Sequence, residues 1–289
     1  MPDPVLRLPS PLVELDDERF RRSGVRLYLK RDDLIHPQLR GNKWRKLKHN
    51  LSAARAQGHT RLLTFGGAFS NHIVATAAAG RYFGFETVGV IRGEPHLPLN
   101  PALAEAVEAG MELVYLDRAT YRRKTEPDVL ADLRDRFGDC YQLPEGGSNA
   151  LAVRGCAELP AEIDVDFDLI CCACGTGGTL AGIAGGLSAG QRAIGFSALR
   201  GDFLPAEVDR LQREAFGGGT DNWTIETGFH FGGFARRSAE LDAFGADFAD
   251  RHGLVLDGVY VAKMLYGLTA LTTGGAIAPG TTVIAVVTG

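Results

Sequence analysis

Short runs of apolar residues alternate along the chain with longer, alanine-rich segments. We predict strands at residues 26–30, 61–65, 87–91, 113–116, 168–174, 193–197 and 282–287. Several of these runs are continuously apolar, which is typical of strands covered on both faces in a parallel sheet. The intervening segments predict helices at 43–56, 71–83, 101–109, 126–137, 179–187, 205–216 and 238–251. This alternation indicates an α/β fold with crossover helices.

Glycine is the unusual part of the composition, with 37 glycines in 289 residues against a usual share of about 7%. The glycines have no fixed period, so a collagen-like repeat does not explain them. They cluster at 66–67, 146–147, 175–178, 185–186, 217–219 and 232–233. Glycine permits tight turns and close backbone approach. We therefore expect some clusters to lie against a ligand, 185–186 to allow close helix packing, and 217–219 to be an ordinary loop.

The charge balance excludes one class of function. Lys and Arg number 31 and Asp and Glu 35, which gives a formal net charge of −4. A sequence-independent nucleic-acid binder needs a basic face to neutralise phosphates. The chain also shows no signal peptide and no window of about 18 uninterrupted apolar residues. We therefore expect no nucleic-acid partner, no membrane contact and a cytoplasmic location.

The five cysteines do not indicate a disulfide framework, because they are odd in number and three fall within residues 171–174. No second pair of Cys or His residues at ligand spacing accompanies that cluster. We therefore expect small residues inside a buried strand and no metal.

The strongest local pattern is a strand at 168–174 followed by Gly-Thr-Gly-Gly-Thr and a helix. Free backbone N–H groups at a helix N-terminus form an anion site, and glycines let the backbone approach the anion. A dinucleotide fingerprint does not fit, since its last glycine position is Leu180 and no acidic residue follows the next strand. A Walker loop fails because no Gly-Lys-Ser/Thr follows. A single phosphate is favoured over a helix start that merely packs closely on a sheet.

A second strand–glycine–helix turn spans residues 63–72 and contains Gly66, Gly67, Ser70 and Asn71. Ser70 or Asn71 could simply cap the helix. The functional interpretation is a second anion site that faces a carboxylate.

Lys43 lies at the first turn of a predicted helix, directly after Gly41-Asn42. The five basic residues between 40 and 48 could form a solvated helix face. A lysine at the helix start can instead point into a cleft, where burial beside other cations lowers its pKa enough for imine chemistry.

Four motifs in this order resemble the pyridoxal-phosphate (PLP) enzymes of the tryptophan-synthase-β type. They are Lys-Arg-Asp-Asp, Gly-Asn-Lys-x-Arg-Lys, Gly-Gly-x-x-Ser-Asn and Gly-Thr-Gly-Gly-Thr-x-Ala-Gly. Within that group the chain is similar to the 1-aminocyclopropane-1-carboxylate deaminase / D-cysteine desulfhydrase family. The resemblance implies a two-lobed, three-layer fold of PLP fold type II. A large cofactor-binding domain would comprise 1–45 and 149–289, and a small domain 46–148, with the site between them. It also implies a homodimer and a short C-terminal tail beyond residue 289.

The resemblance also assigns roles to residues. Lys43 matches the lysine that binds the cofactor covalently, Asn71 the partner of the ring hydroxyl, and Thr288 the partner of the pyridine nitrogen. Ser70, Asn71 and His72 match the turn that receives the substrate carboxylate. Tyr260 matches an active-site tyrosine near the ring. The cradle for the cofactor phosphate matches Cys174, Gly175, Thr176, Gly177, Gly178 and Thr179.

Two departures concern the substrate. Aminocyclopropane deaminases carry a glutamate directly after the active tyrosine, where this chain has Val261, and a glutamine where it has His72. A carboxylate keeps the pyridine nitrogen protonated and strengthens the ring as an electron sink. The hydroxyl of Thr288 does so less well, which favours elimination of a good leaving group over opening of a cyclopropane.

We therefore expect a lyase that converts a small amino acid into a 2-oxo acid, ammonia and a leaving group such as sulfide, in the manner of D-cysteine desulfhydrase. Lys43 would act as general base, and Ser70 or Tyr260 would handle the second proton transfer. The alternatives are aminocyclopropane deamination, β-replacement, racemisation, a PLP-binding protein without lyase activity, and a nucleotide-binding protein without PLP. Further pocket candidates are Phe69, Trp44, the 230–234 segment and Tyr266.

Overall fold

The structure, a computed structural model, describes residues 4–288. In that part of the chain the strands are β1 (Leu12–Glu14), β2 (Arg26–Arg31), β3 (Arg61–Gly66), β4 (Glu86–Arg92), β5 (Met111–Leu116), β6 (Tyr141–Leu143), β7 (Leu169–Cys174), β8 (Arg192–Ser197), β9 (Trp223–Glu226) and β10 (Thr282–Val287). They form a six-stranded sheet in the order β1-β2-β10-β7-β8-β9 and a four-stranded sheet in the order β5-β4-β3-β6.

The helices cover both sheets. They are α1 (Glu18–Arg22), α2 (Asn42–Ala56), α3 (Asn71–Phe83), α4 (Pro101–Glu108), α5 (Arg118–Arg122), α6 (Pro127–Phe137), α7 (Ala150–Ala157), α8 (Gly178–Gly186), α9 (Leu204–Phe216), α10 (Ala239–His252) and α11 (Val261–Thr273). None of the helices within residues 4–288 is long and apolar enough to cross a membrane.

Both sheets are parallel except at one edge. Strand β1 pairs antiparallel with β2, and the other paired strands run parallel. All residues of β7 and β10 are buried, because helices cover both faces of a central parallel strand. The α/β fold with parallel-rich sheets is confirmed. Cys171, Cys172 and Cys174 are buried inside β7, as expected for small residues in a central strand.

All predicted strands and helices are present, with ends that differ by two residues or fewer. The sequence prediction missed β1, β6 and β9, which are short strands at sheet edges. It also missed α7 and α11, and the two five-residue helices α1 and α5. Helix α11 is buried along most of its length, so it lacks the one-sided apolar stripe by which an amphipathic helix is predicted.

Close helix packing explains the glycine pair at 185–186. A Cβ on Gly186 would lie 2.1 Å from the carbonyl oxygen of Ala157 in α7, and one on Gly185 would lie 2.3 Å from the ring of Phe216. The prediction for this pair is confirmed. The division of the chain into a large domain of 1–45 and 149–289 and a small domain of 46–148 stays a prediction. Its first boundary falls within α2, which packs against both α7 and α3.

A buried ionic network fixes α2 to the larger sheet. The Arg45 guanidinium donates from Nε to Asp32 Oδ2 at 2.7 Å and from Nη1 to Glu162 Oε1 at 2.6 Å. The Lys30 ammonium donates to the Ser10 carbonyl at 2.7 Å. Arg45 and Asp32 are buried, so each charge depends on its partner to offset the loss of water. The network holds the helix that begins beside Lys43.

Candidate active site

A cavity of about 450 Å³ lies between the two sheets, at the carboxyl ends of β3, β7 and β10. Ligands of open α/β sheets bind at this edge, where the loops after the strands converge. Three helix N-termini also reach the cavity, those of α2, α3 and α8. The sequence-predicted residues that line it are Lys43, Ser70, Asn71, His72, Cys174, Gly175, Thr176, Gly177, Thr179, Tyr260 and Thr288.

Lys43 is in the first turn of α2 with its amine in the cavity. Its Nζ donates to Asn42 Oδ1 at 2.6 Å, and Asn42 Nδ2 donates to Thr179 Oγ1 at 2.7 Å. Burial, and next the neighbouring charge of Lys46, lower the pKa of Lys43 to about 7. A substantial fraction of this amine is therefore unprotonated at neutral pH, the form that attacks a carbonyl carbon or accepts a proton.

The turn between β3 and α3 needs glycine at Gly66. A Cβ there would lie 2.6 Å from the Ile73 side chain and 2.9 Å from Ser70 Oγ. Ser70 is the N-cap of α3, and its Oγ accepts from the Ile73 N–H at 3.4 Å. The simple capping interpretation is thus correct as far as it goes. The cap still leaves the Ser70 hydroxyl proton free to donate into the cavity, where the side chain also lies.

His72 is a buried neutral imidazole. Its Nε2 lies 2.8 Å from Thr64 Oγ1, and that hydroxyl donates to the Leu143 carbonyl at 3.2 Å. Since Thr64 spends its proton on the carbonyl, the network assigns the His72 proton to Nε2. Nδ1 is buried and has no hydrogen-bond partner among residues 4–288. Burial, with smaller effects from Lys43 and Lys46, holds the pKa of His72 well below its usual value.

The loop between β7 and α8 has the form of an anion cradle. Gly177 adopts a left-handed conformation with φ of +76°, which turns successive N–H groups toward one point. The Thr176 hydroxyl lies 2.6 Å from Ser148 Oγ. Gly178 does not line the cavity; a Cβ there would lie 2.5 Å from Ser148 Oγ. Its role is to let the helix start pack closely against Ser148.

Lys46 is a cation at this loop that the sequence prediction missed. It is 4% exposed, and its Nζ donates to Ser148 Oγ at 2.9 Å and to the Gly146 carbonyl at 3.1 Å. Burial lowers the pKa of Lys46. The spacing of three residues between Lys43 and Lys46 places both on one face of α2. That spacing was the available signal in the sequence.

Tyr260 is held by the carboxylate of Asp257. Asp257 Oδ2 accepts from the Tyr260 N–H at 3.0 Å and the Val261 N–H at 2.7 Å, and Oδ1 accepts from the Val259 N–H at 2.9 Å. The Tyr260 hydroxyl faces the anion loop, since a Cβ on Gly175 would lie 3.2 Å from it. Burial raises the pKa of Tyr260 to about 12, so the phenol keeps its proton at neutral pH.

The other pocket candidates divide between the cavity and the core. Phe69 and Phe234 line the cavity. Trp44 instead stacks on Phe83 with ring centroids 5.6 Å apart, and Phe231 packs against Tyr266, whose hydroxyl donates to Glu240. These corrections arise because each ring finds an aromatic partner outside the cavity. Cavity residues without a prediction are Asn42, Lys46, Gly67, Ala68, Arg92, Glu145, Gly146, Ala173, Leu199 and Phe203.

The geometry fits PLP, although the structure holds no ligand. The cavity offers a lysine amine with a pKa of about 7. It also offers a glycine loop at a helix N-terminus with the Lys46 ammonium close behind it, since a Cβ on Gly178 would lie 3.5 Å from Lys46 Nζ. A phosphate ester and a carbonyl carbon are the two groups that such donors bind. Residues 4–288 contain no cluster of His, Cys, Asp and Glu that could hold a metal ion.

Comparisons with known proteins agree with this geometry. The family described as "Pyridoxal-phosphate dependent enzyme" matches residues 6–289. A "Putative 1-aminocyclopropane-1-carboxylate deaminase" of Thermotoga maritima is 33% identical over 276 residues, which cover 90% of this chain and 88% of the relative. The "Bifunctional D-cysteine desulfhydrase/1-aminocyclopropane-1-carboxylate deaminase, mitochondrial" of Arabidopsis thaliana is 30% identical over 272 residues, covering 85% of this chain and 67% of that protein.

A solved structure described as an "ACC deaminase homologue" superposes with a TM-score of 0.85 at 28% identity, covering 100% of this chain and 91% of the other. The fold, the cofactor and the family therefore agree with the resemblance carried by the four sequence motifs. The chain belongs to the family of pyridoxal-phosphate-dependent enzymes and is one of its lyases.

Proposed function

We propose that this enzyme removes a β-substituent from a small amino acid, as a D-cysteine desulfhydrase does. With cysteine, one molecule of water is consumed and pyruvate, ammonia and hydrogen sulfide are formed. The observation that carries the proposal is the Lys43 amine, with its pKa of about 7, in one cavity with the Ser70 turn and the Gly175–Thr179 loop. When bound, PLP supplies an electron sink for the α-carbon.

The residues divide into binding and proton-transfer roles. Lys43 binds the cofactor and, once freed by the substrate amine, accepts the α-proton, because its pKa is matched to neutral pH. The N–H groups of Asn71 and His72 and the Ser70 hydroxyl receive the substrate carboxylate. The loop from Cys174 to Thr179, with Lys46, holds the cofactor phosphate.

The remaining roles concern the cofactor ring and the leaving group. Asn71 bonds the ring hydroxyl and Thr288 the pyridine nitrogen. Tyr260 keeps its proton at neutral pH, so it can deliver that proton to the leaving group. Ser70 is the second candidate for this step.

Aminocyclopropane deamination is the second candidate function, favoured by the names of the relatives. Val261, at the position of the deaminase glutamate, is 1% exposed and packs in the apolar core cluster. It therefore presents no carboxylate to the ring nitrogen, and β-elimination remains the better supported reaction.

The test is a substrate panel of D-cysteine, L-cysteine, D-serine and aminocyclopropane carboxylate with the purified holoenzyme. We expect pyruvate, ammonia and sulfide in equal amounts from one enantiomer of cysteine. 2-Oxobutyrate from aminocyclopropane carboxylate at a higher kcat/KM would reverse the order of the two candidates.

Lys43→Ala should remove the visible absorption of the covalently held cofactor together with activity. Lys48→Ala is the matched control, because Lys48 lies on the same helix and pairs only with Glu158 at the surface. Retention of that absorption by Lys43→Ala would show that a different lysine holds the cofactor.

We also propose that the enzyme is a cytoplasmic homodimer and that its two lobes divide at residues 45/46 and 148/149. The family resemblance supports these three statements. Light scattering coupled to gel filtration tests the dimer, and a mass of one chain would contradict it.

A further inference from the structure

A second hollow of about 920 Å³ adjoins the active-site cavity on the side of the four-stranded sheet. The two spaces are continuous, because they share the lining residues Gly67, Ala68, Phe69, Arg92 and Glu145. A cavity of about 450 Å³ is near the lower end of the range for small-ligand sites, about 300–1,000 Å³. A cofactor with an alanine-sized substrate fills such a space, and a larger β-substituent extends into the second hollow.

Arg92 stands at the junction of the two hollows. It is the last residue of β4, beside β3 in the parallel sheet. A Cβ on Gly67 would lie 3.5 Å from Arg92 Nη2, so the guanidinium lies against the turn that carries Ser70. In the described part of the chain no carboxylate forms an ion pair with Arg92.

The ring of Tyr121 supports Arg92. The Arg92 Cζ lies 6.0 Å from the ring centroid and the Lys124 Nζ lies 4.8 Å from it. Tyr121 is 2% exposed, so the two cations rest on a rigid aromatic floor. The Lys124 ammonium is paired with Glu145 at 3.1 Å. Arg92 therefore keeps its charge available for a ligand.

The second hollow carries a small excess of positive charge. Its cations are Arg92, Arg118, Arg122 and Lys124, and its carboxylates are Glu94, Asp117 and Glu145. Two of the carboxylates are already engaged. Asp117 accepts from the Ala119 and Thr120 N–H groups at the start of α5, and Glu145 pairs with Lys124.

We propose that the substrate carries a second negative charge on its β-substituent, as a carboxylate, sulfonate or phosphate, and that Arg92 binds it. This inference rests on the proposed function, because it names the substrate class of the same site. A guanidinium matches an oxyanion with two parallel N–H donors. Arg92 is then a specificity-determining residue that distinguishes charged from neutral β-substituents.

The test compares each substrate with itself across variants, so that differences in leaving ability cancel. β-Chloroalanine has a neutral substituent and O-phosphoserine an anionic one; both enantiomers of each are assayed for pyruvate. We expect Arg92→Gln to lower kcat/KM for O-phosphoserine by about 10- to 100-fold, the worth of a charged hydrogen bond. It should change β-chloroalanine elimination by less than about threefold, and Arg92→Lys should fall between. Arg81→Gln in α3, an exposed arginine outside both hollows, should change neither substrate.

A binding measurement supports the kinetics. In calorimetric titration of the apoprotein with O-phosphoserine, Arg92→Gln should raise Kd by about 10-fold. An equal loss for both substrates would assign Arg92 to the shared α-carboxylate and overturn the inference. So would turnover of β-chloroalanine without turnover of O-phosphoserine. The absence of pyruvate from every substrate would instead contradict the proposed function.

Discussion

The backbone of Gly41 lies against the carbonyl of Thr288. A Cβ on Gly41 would be 1.5 Å from the Thr288 oxygen, and the φ of Gly41 is +54°. This contact joins the start of α2 to the end of β10. It thereby places Lys43 and Thr288, which are far apart in sequence, in the lining of one cavity.

Gly41→Ala should separate these two segments. The new methyl group meets backbone that cannot rotate away, and a positive φ disfavours alanine. We expect a loss of about 2–4 kcal/mol in the free energy of unfolding, together with weaker PLP binding. Urea denaturation and cofactor titration measure both. Gly58→Ala is the control, because Gly58 also has a positive φ of +80° but nothing within 4 Å of its Cβ position. Equal losses in the two variants would show that the Thr288 contact is unimportant.

The lowered pKa of Lys43 predicts a pH dependence of apoprotein stability. Between the folded pKa of about 7 and the unfolded value of about 10.4, the unfolded chain binds one more proton at this site. The free energy of unfolding contributed by Lys43 therefore rises with pH in that window, by up to about 1.4 kcal/mol per unit. Denaturation of the wild-type and Lys43→Met apoproteins between about pH 7 and 9 measures the difference. A wild-type curve parallel to that of Lys43→Met would contradict a depressed pKa.

Asp257 should act on catalysis through Tyr260. Asp257→Ala removes the acceptor for three backbone N–H groups, so the turn that presents the phenol loosens. We expect kcat to fall by about 10-fold or more with a smaller change in KM, and a stability loss of about 1–3 kcal/mol. Asp257→Asn, which keeps an acceptor oxygen, should recover part of kcat.

The control for this prediction is Asp242→Asn, which breaks a surface pair with Arg237 and should leave both constants unchanged. If Asp257→Ala changed only stability, Asp257 would be a helix cap without influence on the reaction.

Removal of Arg45 should destabilise the protein more than removal of any surface arginine. Arg45→Ala leaves the buried Asp32 carboxylate without its counter-charge, which costs about 3–5 kcal/mol. Arg210→Ala breaks exposed pairs with Glu207 and Glu214 and should cost about 1 kcal/mol or less. Thermal and chemical unfolding of both variants tests this ranking. Similar losses would place the Arg45 network among ordinary surface pairs.

Most of the secondary structure was predictable because its signals are local. Continuous apolar runs marked β7 and β10, and N-cap and glycine chemistry marked the starts of α3 and α8. The edge strand β9 and the buried helix α11 were missed for opposite reasons. A short edge strand has weak patterning, and a helix covered on nearly all sides has no polar face to reveal its period.

The candidate site shows the same division. The sequence by itself determined the two glycine turns and the lysine at the head of α2, because each is a motif of neighbouring residues whose backbone chemistry is fixed locally. Only the tertiary structure decided that Asn42 bonds Thr179, that Lys46 reaches Ser148, and that Arg92 stands beside the Ser70 turn. These contacts join segments distant in the chain, and the burial they create lowers the pKa of Lys43. No local pattern contains that burial, because desolvation depends on what the rest of the fold places around the amine.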